Sequence, residues 1–195
     1  MKEFAKQGYK NASTDNIVKE AVISKGALFH YFKNKKGLFL FLYDYSLEIV
    51  KNEILLKINY EEKDIFKRRR DAILQKLEVL KIHPELYEFL GNAYLDDSPE
   101  IKMETASRNE KLIVFGKSKL YDGIETSMFR PGLDIGRALE IITWADEGFT
   151  KKVTVQIKNK PLDQINYDEL LEELDIYMEI LKKSFYRGEC DYECN

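Results

Sequence analysis

The chain is poor in the residues that most enzymatic and metal chemistry requires. Only two of its 195 residues are cysteines, Cys190 and Cys194 near the C-terminal end, too few for a disulfide framework. Spaced four apart they could share a helical face and hold a soft metal with two outside ligands, but a frayed tail is the simpler reading. Only two residues are histidines, His30 and His83, and neither lies in an H-E-x-x-H or comparable motif. A phosphate-binding glycine loop and a G-x-S-x-G nucleophile turn are also missing. No catalytic residue, metal site or cofactor is therefore expected. No run approaches the roughly 20 apolar residues that span a bilayer, and the opening MKEFAKQGYK lacks the apolar core of a secretion signal. A cytoplasmic chain without a membrane partner is the expectation. Alternating strand patterns, internal repeats and low-complexity segments are absent too, except that VTVQI (153 to 157) reads as briefly extended.

What remains is helix. With 44% hydrophobic and 33% charged residues the chain can bury a sizeable core under a charged surface. Leu38, Phe41, Leu42, Tyr45 and Ile49 recur at three- and four-residue steps, predicting a long helix that runs on to about Ile58. Phe66, Ile73, Leu77 and Leu80 mark another, which stops before Pro84. Ser98-Pro99 suits a helix start, with the helix continuing to about Tyr121. DGIETSMFRPG then reads as a break, and two strong helices follow. One carries Ile135, Ala138, Ile142, Ala145, Phe149 and Val153; the other carries Leu170, Leu174, Tyr177, Leu181 and Phe185. The polar stretch KNKPLDQINYD between them, with Pro161, reads as a loop. The fold class is all-α.

The net charge of -3 argues against a polyanionic partner until its distribution is considered. Residues 1 to 38 carry eight lysines against three acids, a net +5, whereas residues 161 to 195 carry ten acids against three bases, a net -7. A basic end on an acidic body suits a module that faces nucleic acid, although charges also cluster on solvated faces. Within the basic end, Ser13 or Thr14 caps a helix to Ala21 in which Ile17 and Ala21 face inward. Ser24 caps a second helix to Phe32, with Leu28 and Phe32 inward. Only Val22 and Ile23 separate the two, which forces the steep crossing of a helix-turn-helix. Gly26 and His30 then project outward with Ala27, Phe29 and Tyr31. Gly26 permits close approach to a phosphate at the helix N-terminus. His30 and Tyr31 offer hydrogen bonds, and Ala27 and Phe29 offer apolar contact to thymine methyls. Lys35, one turn later, has the length to reach a flanking phosphate.

The stretch FAKQGYKNASTDNIVKEAVISKGALFHYFKNKKGLF resembles the DNA-binding domain of TetR-family transcriptional regulators, over roughly residues 4 to 45. The resemblance implies an all-helical homodimer with a DNA-binding domain over residues 1–45 and a ligand-binding and dimerisation domain over 46–195. It implies further that Thr14 meets a phosphate and that Lys25, Gly26, Ala27, Phe29, His30 and Tyr31 line the recognition surface. Lys35 would clamp the DNA backbone. Several positions depart from the family pattern. Val22 stands where glycine is usual, which predicts a turn of different geometry, because a β-branched residue is strained at positive φ. Ala27 replaces a threonine and Phe29 a tyrosine, and the first helix is expected to be largely missing.

The resemblance also places a four-helix dimer interface on the last two helices, through Ile142, Phe149, Leu170, Leu174, Leu181 and Phe185, although packing within one chain would cover any one of them equally well. An effector pocket for an unidentified small molecule is expected among Phe89, Tyr94, Phe115, Tyr121, Met128 and Trp144, each of which could equally be core. The leading reading is a ligand-responsive repressor binding a palindromic DNA operator as a homodimer. The alternative is a helical protein-interaction module whose DNA binding is lost or weakened.

Overall fold

Ser13, Ser24 and Asn34 each place a side-chain oxygen on a backbone N–H in the first turn of a helix, and these three caps organise the N-terminal region of the computed structural model. The structure describes residues 1–157, 160 and 164–188; Pro161 and the Cys190 and Cys194 pair lie outside them. Among the described residues there are nine α-helices: α1 (Lys2–Asn11), α2 (Thr14–Ala21), α3 (Lys25–Phe32), α4 (Lys35–Glu53), α5 (Ile65–Ile82), α6 (Pro84–Leu95), α7 (Pro99–Tyr121), α8 (Ile135–Ile157) and α9 (Tyr167–Phe185). No strand forms among these residues; Phe129 and Tyr186 share one isolated antiparallel bridge. None of the described helices is long and apolar enough to cross a membrane.

Two expectations about element bounds need correction. The helix from Leu38 was expected to reach Ile58, but α4 ends at Glu53 and a short 3₁₀ turn, Leu55–Lys57, follows. Ile54 and Ile58 are both buried on either side of that turn, so the chain bends to cover them. VTVQI was expected to be extended but completes α8. Without a neighbouring strand to bond, a helix is the conformation that satisfies its backbone groups locally.

The chain divides into two units. The first comprises residues 1–59 and 71–122. Its core is aromatic. Phe39 on α4 meets Phe4 and Tyr9 of α1 and Phe89 of α6, each at 5.2 Å between ring centroids. Leu28, Tyr43, Ala93 and Ile101 complete the cluster. Gly8 bends α1 with φ 69°, ψ 174°, and the bend is held by residues far along the chain. The Tyr9 backbone N–H donates to Asp96 at 3.0 Å, the Tyr9 hydroxyl donates to Glu100 at 2.6 Å, and Asn92 donates to the Ala5 carbonyl. Burial raises the Tyr9 pKa, and the Glu100 bond raises it further, so the phenol stays protonated as a donor.

The second unit comprises residues 60–70 and those from 123 onward. At its centre Asp64 accepts from the Phe66 N–H at 2.9 Å, from Lys182 Nζ at 2.7 Å and from the Tyr186 hydroxyl at 3.0 Å. Burial alone would raise this carboxyl, but Lys182 and the other donors outweigh it and hold the pKa below the ordinary value. The Tyr186 ring packs edge-on against Phe66 and Phe129. Buried Arg68 donates to the carbonyls of Tyr60 and Glu62, and Arg69 pairs with Asp146. α8 packs on α9.

Candidate nucleic-acid interface

The caps explain why residues 13 to 32 make two short helices. The Ser13 hydroxyl accepts from the Asn16 N–H, while its own N–H donates to Glu3 at 2.9 Å, so Ser13 is the cap and Thr14 is the first helical residue. The turn into α3 keeps a left-handed residue, contrary to the expectation that valine would force another geometry. Val22 sits at φ 55°, ψ 42°. The Val22 N–H donates to the Lys19 carbonyl and the Ile23 N–H to that of Val18, at 3.3 and 3.1 Å. These bonds satisfy the last carbonyls of α2, as in glycine-ended helices, and hold valine in the strained region. Ala21, expected inward, is exposed, whereas Ile17 is half-buried.

Ser24 caps α3 through the Ala27 N–H at 3.0 Å, and Leu28 anchors the helix in the core. Phe32 is half-buried, with its ring 5.1 Å from that of Phe41. The opposite face exposes Lys25, Gly26, His30 and Tyr31, while Ala27 and Phe29 are half-buried at its edge. Tyr31 is 78% exposed, and its ring lies edge-on to His30 at 5.4 Å. A Cβ added at Gly26 would make only an ordinary contact with Ser24, so the fold does not require glycine there. Lys25 pairs with Asp15 at 2.7 Å, bridging the first turns of the two helices.

Lys35 points elsewhere than expected. Its ammonium donates to the carbonyls of Lys10 and Ala12 at 3.0 and 3.3 Å and lies 4.9 Å from the centre of the Tyr9 ring. It closes the C-terminal end of α1, whose carbonyls lack helical partners, so the charge is committed within the protein. The exposed cation just behind α3 is Lys33, at φ 63° and without an ion-pair partner among the described residues. The KNKK run signalled a cation here, but local spacing alone did not distinguish which lysine faced outward. Gly37 was also missed: a Cβ there would meet the Phe32 carbonyl oxygen, so the tight turn from α3 to α4 demands glycine.

The six residues expected to line a pocket have different settings. Phe89 is a core side chain of the first unit, because the α1 and α4 aromatics close over it. Tyr94 is exposed on α6, and Tyr121 and Met128 are half-buried. Trp144 is 63% exposed on α8. Phe115 lines a groove of about 620 Å³ between α4 and α7. Of the six residues expected at a dimer interface, Ile142 and Leu174 are fully covered by their own chain. Phe149 meets Tyr177 at 5.9 Å, and Leu170, Leu181 and Phe185 are half-buried. The apolar side chains that α8 and α9 expose are Ile141, Trp144, Val155, Ile176, Tyr177 and Ile180. α9 is apolar on two faces, and the more regular stripe is the inner one.

Residues 1–42 match the model of the bacterial regulatory proteins of the tetR family. The Transposon Tn10 TetC protein of Escherichia coli is 30% identical over 129 residues, covering 61% of this chain and 64% of that protein. The uncharacterized HTH-type transcriptional regulator YuxN of Bacillus subtilis (strain 168) is 40% identical over 55 residues, covering 28% of this chain and 19% of that one. The chain thus spans under two thirds of the first relative's length and under a fifth of the second's. A TetR family transcriptional regulator from Chloroflexus aurantiacus J-10-FL has the same fold, with a TM-score of 0.57 at 20% identity, covering 95% of this chain and 89% of that one.

Proposed function

The chain belongs to the TetR family by its N-terminal helix-turn-helix and its all-helical fold, and from that premise we infer that it acts as a DNA-binding transcriptional regulator. The observation that carries the reading is the exposed face of α3. A helix capped by Ser24 and anchored by Leu28 presents Lys25, Gly26, His30 and Tyr31 to solvent, and nothing in the fold requires Gly26. Residues 1–45 serve as the DNA-binding module, with α3 in the major groove. His30 and Tyr31 reach base edges or phosphates, Ala27 and Phe29 flank them, and Thr14 and Lys25 meet the backbone. Lys33 takes the phosphate contact that Lys35 does not reach. Residues 46–195 form the ligand-binding and dimerisation portion.

In this reading the protein is a repressor that binds a palindromic operator as a homodimer and releases it when a small-molecule effector binds. Two-fold symmetry would set two α3 helices about 34 Å apart, one turn of DNA. Fluorescence anisotropy over a salt series, using the duplex upstream of the protein's own gene, tests it. Tight, sequence-selective binding with a steep salt slope is the expected result. Equal binding to a random duplex would overturn the regulator reading.

A further inference from the structure

α4 and α7 run side by side in the same direction within the first unit. Lys36 pairs with Glu104, Asp44 with Arg108 at 2.7 Å, and Lys51 lies 5.8 Å from the centre of the Phe115 ring. At the far end a Cβ on Gly116 would touch Leu55 at 3.4 Å. These pairs keep their order along both helices, so the groove between them has a defined polarity. Its near end is an ionic cluster in which Arg108 is shared by Asp44 and Glu104. Its floor is Leu47, Leu112 and Phe115. Its far end carries two ammonium groups, Lys51 and Lys111, neither of which has an ion-pair partner among the described residues.

The acids that border the groove are accounted for separately. Asp44 is neutralised by Arg108, and Glu48, exposed at the rim, accepts from Asn52 at 3.4 Å. An apolar floor closed at one end by a satisfied ion pair and at the other by two unpaired cations matches a ligand with a hydrocarbon body and a single anionic head. We propose that this groove binds an amphipathic organic monoanion, an aliphatic or aryl carboxylate, with its carboxylate on Lys51 and Lys111 and its apolar body on Leu47, Leu112 and Phe115. The proposal rests on the inferred role as a ligand-responsive regulator and names its ligand class. The same two helices also carry the Lys36–Glu104 pair, in the first turn of α4 and directly after the α3 turn. A ligand that spreads or tightens the groove therefore acts on the helix that leads out of the DNA-binding module.

The test is isothermal titration of the full chain, without DNA, using decanoate, decan-1-ol and decyltrimethylammonium below their micellar concentrations. Decanoate should bind about tenfold more tightly than decan-1-ol, the usual advantage of a charge-assisted head group. The cation should bind no better than the alcohol. The double variant Lys51→Gln, Lys111→Gln should bring decanoate down to the level of decan-1-ol, with a melting curve confirming that the variant folds. Equal affinity for decanoate and the alcohol, tighter binding of the cation, or unchanged decanoate binding by the double variant would each overturn the proposal. Because no DNA is present, a failed operator assay leaves this result standing, and a failed titration leaves the operator assay standing.

Discussion

Val22 holds a left-handed conformation at φ 55° with its side chain 88% exposed, and no packing accompanies that strain. A non-glycine residue in this region costs on the order of 1–3 kcal/mol, more for a β-branched one. Glycine would relieve the strain but add disorder to the unfolded chain, so Val22→Gly should stabilise the protein by about 1 kcal/mol net. A urea midpoint that fell instead would show that valine is unstrained there. Asp64 supplies a prediction of the opposite kind. Its folded pKa is depressed below the ordinary value of 3.8, so its contribution is present above that value and is lost as pH falls through the folded pKa. The melting temperature of the wild-type protein should therefore drop steeply below about pH 4. Asp64→Asn should lower the melting temperature at neutral pH and flatten that acid limb. A variant with the same acid limb as the wild type would remove Asp64 from the account.

α1 shows how far local sequence reaches and where it stops. The α2–α3 pair was legible because everything that shapes it lies within a few residues: the serine caps, the four-residue step from Leu28 to Phe32, and the two-residue turn. The partners of α1 were not. Tyr9 is held by Asp96 and Glu100, 87 and 91 residues away, and such tertiary bonds leave no period in the sequence. Lys35 was misplaced for the same reason, since the carbonyls it caps lie more than twenty residues upstream. The face that α9 exposes was misread because a helix apolar on two sides offers two stripes, and periodicity alone cannot rank them. The clamp on α1 is testable as an element. Tyr9→Phe removes only the bond to Glu100, and at this part-exposed site the loss should cost about 1 kcal/mol. Amide exchange along α1 should then quicken by about fivefold while that in α9 stays unchanged. Unaltered exchange in α1 would mean that the aromatic core alone secures the helix.

At the scale of the whole molecule, the exposed apolar surface of α8 and α9 is what single-chain folding leaves unexplained. Ile176 and Ile180 are one turn apart, 61% and 57% exposed, on a helix whose other face already covers Leu174 and Met178. With Ile141 and Trp144 on α8 they form an apolar face on the second unit. Contiguous apolar patches on a soluble surface mark association sites, and the homodimer proposed above would place this face against its own copy, where stable interfaces bury roughly 1,200–2,000 Å². Replacing both isoleucines with glutamate puts like charges opposite one another in such a dimer and leaves the inner stripe untouched. The variant should retain the helical circular dichroism of the wild type and sediment as a monomer at micromolar concentration. Its log–log salt slope for operator DNA should fall by about half, because one α3 helix would neutralise half as many phosphates as two. A double variant that still sediments as a dimer would place the interface elsewhere, and one that becomes monomeric with an unchanged salt slope would show that each chain reads DNA alone.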